Sequence, residues 1–144
     1  MLDFIIDLLK SRGITLDNIN LLVSILKKEE YVPYRYNDDI LKVLSVKEIQ
    51  DLISLGVTLD IYCESNILPE LIQDSISNDS LFSLDKSLAL SVVNIFGPEA
   101  VINFSFLQKE KSSDIKSLLK EDKVNTFLDD ILCVITSAVA IGLY

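Results

Sequence analysis

The sequence predicts an all-α fold: one domain spanning residues 1–144, built as a bundle of about seven to nine helices. Three observations predict it. Leu, Ile and Val recur at spacings of three and four residues along most of the chain. Gly (4) and Pro (3) are too scarce to punctuate a many-stranded sandwich. At 144 residues and 49% hydrophobic, the chain can close one core of ordinary size and has no composition break to divide it.

The elements follow in order. Leu2, Ile5, Ile6 and Leu9 form one apolar stripe of a first helix, which ends near Arg12-Gly13. Thr15 is placed to cap a second helix running to about Lys28, with Ile19, Leu22, Val23 and Leu26 facing inward. YVPYRYNDD reads as a loop leading into a capping signal. Ser45 and Glu48 fit a capping box for a helix expected to stop at Gly56, with Thr58 starting the next. GITLD at Gly13 recurs as GVTLD at Gly56, which reads as the same helix, glycine stop, helix punctuation used twice. Pro69 opens ILPELIQDSI, and a Ser-Asn-Asp-Ser loop is expected at 77–80. Helices near 84–96 and 99–109 flank Gly97-Pro98, and a solvated stretch, KEKSSDIKSLLKEDK, leads to a terminal helix over 126–143.

A formal charge of −9 leaves no broad basic surface for a phosphate backbone, so no nucleic-acid partner is expected. The absence of His excludes Ser-His and Cys-His nucleophiles and His-ligated zinc. Cys63 and Cys133 sit in apolar helical patterns without zinc or redox spacing and read as buried thiols. The opening residues lack a basic leader, and the uncharged run after Asp130 is shorter than the roughly 20 residues of a membrane span. A cytoplasmic protein without a transmembrane segment is expected.

Function turns on acidic residues at helix starts. In TFLDDILCVITSAVAIGLY the doublet Asp129-Asp130 opens an apolar helix, and Thr126, Asp129, Asp130, Cys133, Thr136, Ser137 and Ala140 share a strip of small or polar residues. The aspartates either complement the helix dipole or bind Mg²⁺, which takes oxygen ligands and commonly one or two carboxylates with water and phosphate. In the second case the small residues line a cleft. Asp85, opening LDKSLALSVVNIFG, is either a first-turn aspartate or a second carboxylate for that cation. Asn94 and Asn103 either hydrogen-bond within the core or face the same cleft.

LDKSLALSVVNIFG, INFSFLQKEK and KVNTFLDDILCVITSA, together with RGITLDNINLLV, LSVKEIQDLISLGVTLD and NILPELIQ, span nearly the whole chain. In that order they resemble the soluble, bacillus-type branch of the phosphatidylglycerophosphatase A family, related to proteins described as low-temperature-requirement C. The resemblance implies a bacterial, Mg²⁺-dependent phosphatase of lipid metabolism, acting on phosphatidylglycerophosphate or a related phosphate ester. It implies Asp129, Asp130 and Asp85 as catalytic and metal-binding residues. Lys86 stands where the family has Glu; it degrades the site, contacts phosphate, or pairs with Asp129 or Asp130 in place of a metal, and it joins Asn94 as an expected substrate contact. The alternative is a noncatalytic helical interaction or regulatory protein that keeps the fold. Transient membrane-surface contact would bring a lipid substrate within reach, and the apolar composition is compatible with a homo-oligomer.

Overall fold

In the computed structural model, residues 1–77, 83–110, 113–120 and 122–142 are described. Among them are nine α-helices and no strand: α1 (Leu2–Ser11), α2 (Leu16–Leu26), α3 (Asn37–Leu44), α4 (Lys47–Glu64), α5 (Glu70–Ser77), α6 (Leu84–Val93), α7 (Pro98–Glu110), α8 (Ser113–Leu118) and α9 (Thr126–Ile141). A 3-10 turn, Asn94–Phe96, joins α6 to α7. The expected all-α bundle is the observed one.

α9 is the axle. Every residue from Thr126 to Val139 except Asp129 is buried, and α2, α3, α4, α6, α7 and α8 all pack against it. This explains how a 16-residue helix carries so few charges: it has no solvent face over most of its length. The strip of small residues is part of that packing. Cys133, Thr136 and Ser137 are fully buried, and Ser137 donates its hydroxyl to Cys133 O, so this part of the strip seats neighbouring helices and does not line an open cleft.

The outer helices begin much as their sequences direct. Gly13 takes φ +85°, ending α1, and Thr15 caps α2 in a reciprocal capping box with Asn18. Buried Asn20 accepts the Tyr36 amide and so ties α2 to the start of α3. Two boundaries differ from expectation. Ser45 does not cap α4; its hydroxyl donates back to Leu41 O, at the end of α3, and α4 starts after Val46 with no side-chain cap. Nor does α4 stop at Gly56. It continues for two more turns to Glu64, because its buried positions Ile49, Leu52, Ile53, Gly56, Val57, Asp60 and Cys63 keep an unbroken helical phase through the glycine. Gly56 is needed for close approach: a Cβ there would lie 2.8 Å from Ile131 Cδ1 and 2.9 Å from Phe127 Cβ.

The stretch before α9, expected to be solvated, contains α8, which buries Ile115. The expected 77–80 loop lies outside the described residues beyond Ser77. No helix among the described residues is long and apolar enough to cross a membrane.

Candidate functional site

The site is built where the first turns of α6 and α9 meet. Gln108, near the end of α7, donates its side-chain amide to Asp130 Oδ1 at 2.7 Å, so the C-terminal end of α7 lies beside the N-terminal end of α9. α6 precedes α7 through a short turn, and Leu84, its first residue, lines a cavity of about 360 Å³ together with Phe127 of α9. Asp85 and the Asp129-Asp130 doublet are therefore at one end of the bundle.

Their environments differ. Asp85 is 1% exposed, and neither of its carboxylate oxygens has a hydrogen-bond partner among the described residues. A buried carboxylate without a donor is costly. Asp130 is equally buried and faces α7. Asp129, about 100° farther back around the helix, is half-buried and lines a different cavity of about 370 Å³ with Lys116, Lys123, Asn125, Thr126 and Ser77. The doublet thus splits: adjacent carboxylates on a helix diverge, and only Asp130 turns into the core.

Lys86 is exposed, turned from Asp85 by one helical step, and is not part of the buried group. Asn94 is also exposed and closes the far end of α6, about 13 Å along the axis from Asp85 at 1.5 Å per residue. Both expected substrate contacts are thus exposed, whereas Asp85 and Asp130 are buried. No three acidic or thiol side chains among the described residues gather as a metal-binding group. Cys63 and Cys133 are free and buried.

One residue at this end escaped the sequence reading. Asp60 of α4, fully buried, accepts the Phe127 amide on both oxygens (3.1 and 3.2 Å) and the Leu128 amide on Oδ2 (3.1 Å). It caps α9 from another helix, while Asn125, the residue preceding α9, spends its own amide on Lys120 O and Lys123 O. Burial pushes Asp60 up to about 7, opposed by those two backbone donors and by Arg12, and assisted by Glu64. One turn on, Glu64 accepts from Arg12 Nη2 (2.5 Å) and the Val124 amide (2.7 Å), and Arg12 also donates to Val124 O (2.6 Å). Its pKa is held down first by the Arg12 hydrogen bond. The signal for Asp60 was present: it continues the buried phase of α4 across Gly56.

Comparison with known proteins fixes the kinship. No family model matches the sequence. The chain is 35% identical to the uncharacterized protein YpjQ of Bacillus subtilis over 97% of this chain and 82% of that protein, and 33% identical to the uncharacterized protein YutG of the same organism over 90% and 82%. Its fold superposes on the crystal structure of YpjQ, described as family-model DUF64, with TM-score 0.87 at 33% identity, covering 96% of this chain and 89% of that one. A protein of unknown function from Bacillus stearothermophilus gives TM-score 0.86 at 32% identity, over 97% and 91%. The low temperature requirement C protein of Listeria monocytogenes gives 0.83 at 32%, over 96% and 91%. These findings correct the assignment to the phosphatidylglycerophosphatase A family, since none of these relatives is described as such an enzyme. The resemblance rested on six segments spanning nearly the whole chain, and its acidic residues opening apolar helices are a pattern that the helix dipole favours in any helical protein. The chain belongs to the family of YpjQ and YutG, with the DUF64 fold.

Proposed function

We propose that the protein is a cytoplasmic Mg²⁺-dependent phosphomonoesterase acting on a phospholipid headgroup or a smaller phosphate ester. The observation that carries this reading is Asp85: a carboxylate buried to 1% exposure with both oxygens lacking a hydrogen-bond partner among the described residues. The donor chemistry fits the cation. Mg²⁺ takes hard oxygen ligands and is commonly held by one or two carboxylates, with water and substrate phosphate completing the shell, so it does not require three acidic side chains.

Asp85 and Asp130 would hold the ion, while Asp129 faces the separate cavity that Lys116 and Lys123 line. Bound there, Mg²⁺ would supply Lewis-acid polarisation of a phosphoryl group and a more acidic water. Gln108 donates to Asp130 Oδ1 at 2.7 Å and would hold that oxygen in place beside the ion. The buried surroundings exclude bulk water and strengthen each charge interaction.

Thermal unfolding with increasing Mg²⁺ tests the reading, since a ligand of the folded state raises its melting temperature. Stabilisation of the intact protein that Asp85→Asn abolishes is expected. Phosphate release from phosphatidylglycerophosphate in mixed micelles and from glycerol 3-phosphate in solution then separates lipid from soluble substrates. No stabilisation by Mg²⁺ and no release from either would sink the proposal. A noncatalytic interaction protein is the second reading, favoured by the exposed apolar side chains Leu71 (81%), Ile102 (68%), Leu84 and Phe106.

A further inference from the structure

Along one face of α4, Gly56, Asp60 and Glu64 stand four residues apart and each engages the start of α9 or the strand of chain before it. Gly56 admits Phe127 and Ile131 to contact with the backbone, Asp60 takes the Phe127 and Leu128 amides, and Glu64 takes the Val124 amide and Arg12. A helix start leaves its first N–H groups without intrahelical partners, and here that start is buried, so an external acceptor is required.

We infer that Asp60 is the positioning residue of the α9 N-terminus: through the Phe127 and Leu128 amides it fixes the turn that carries Asp129 and Asp130. The structural half of this inference stands alone, and its consequence for Mg²⁺ rests on the phosphomonoesterase reading. The charged groups acting on Asp60 are Arg12, from the end of α1, and Glu64, on its own helix, with Lys123 4.0 Å from Glu64 in turn. The ionisable groups of α9, Asp129 and Asp130, follow directly after Leu128. When Asp60 is ionised its bonds to the two amides are charge-assisted; when it is neutral they weaken.

The test is an NMR titration from pH 5 to 9 without metal or substrate, following the Asp60 carboxyl carbon and the Phe127 and Leu128 amides. A common midpoint for all three is expected, with Asp60→Asn removing the amide titration and speeding hydrogen exchange at both amides by about tenfold. Amides that do not titrate with the Asp60 carboxyl, or exchange rates that Asp60→Asn leaves unchanged, would overturn it. Should Asp60→Asn not fold, the titration of the intact protein still decides. Calorimetric titration with Mg²⁺ reads the functional half: Asp60→Asn, which loosens the turn that carries Asp130 without touching a ligand side chain, is expected to weaken binding by about tenfold. Unchanged Mg²⁺ affinity in a variant with altered amides overturns that half alone. Failure of the intact protein to bind Mg²⁺ overturns the phosphomonoesterase reading and leaves the amide result standing.

Discussion

Residues 13–17, Gly-Ile-Thr-Leu-Asp, and residues 56–60, Gly-Val-Thr-Leu-Asp, carry nearly the same five letters and perform opposite tasks. The first ends one helix and starts another: Gly13 adopts φ +85°, Thr15 caps α2, and exposed Asp17 accepts the Tyr31 hydroxyl. The second lies wholly inside α4, where Gly56 is a contact point for α9 and Asp60 a buried cap for it. What separates them is the context on either side. Buried positions 49, 52, 53, 56, 57, 60 and 63 run in helical phase through Gly56, whereas the phase of α1 breaks after Arg12 and resumes differently at Ile14 and Ile19. Tertiary packing outweighs a glycine penalty of about 1 kcal/mol.

The aspartates should show the largest contrast. At pH 5.5, Asp60→Ala leaves two buried amides without an acceptor, each worth about 1–3 kcal/mol, so a loss of roughly 2–6 kcal/mol in urea unfolding is expected. Asp17→Ala, on the surface, should stay within about 0.5 kcal/mol. Equal effects would break the comparison.

Asp60 also imposes a pH dependence that Asp17 does not. Its folded pKa of about 7 lies above the ordinary 3.8, so the folded chain binds the extra proton between those values. Stability is then highest below the ordinary carboxyl value and falls as pH rises toward 7, by an amount on the order of 4 kcal/mol. Glu64 acts in the other direction: its lowered pKa contributes stability present above 4.5 and lost as pH falls. Melting temperature is therefore expected to peak near pH 4, and Asp60→Asn should flatten the decline from there to about pH 7. An unchanged decline in that variant would assign it to the general repulsion of a chain with net charge −9.

The same contrast explains what was legible beforehand. Helix content, the Thr15 cap and the central place of residues 126–141 follow from period and caps, which are local. Asp85 and Asp130 were legible as acidic residues opening apolar helices, but their burial and the outward turn of Asp129 depend on which helices pack against them. Asp60 was missed because Gly56 was weighed as a stop, and a capping interaction between residues 67 and 68 positions apart leaves no local mark. Ser45 shows the converse: the capping-box letters were present, yet its hydroxyl was closer to the end of α3.

The glycines and threonines give smaller, sharper tests. Gly56→Ala ordinarily favours a helix by roughly 0.5–1 kcal/mol, but its Cβ would press on Phe127 and Ile131, and a net loss of about 1–3 kcal/mol is expected. Gly13→Ala should cost about 1–2 kcal/mol by a different route, since its positive φ strains any L side chain, while the atom nearest its Cβ is the flexible end of Lys120. The two are distinguishable: trimming the partner with Ile131→Val should partly rescue Gly56→Ala and leave Gly13→Ala unaffected. Thr15→Ala removes a cap and should cost about 1 kcal/mol. Thr58→Ala, half-buried in the middle of α4, replaces a β-branched residue with the best helix former and should be neutral or stabilising by a few tenths of a kcal/mol. Opposite signs for two threonines that each follow a glycine by two residues would locate the difference in the backbone that surrounds the motif. Equal losses would mean that α4 is divided at Gly56 in solution, and that Asp60 reaches α9 from a helix of its own.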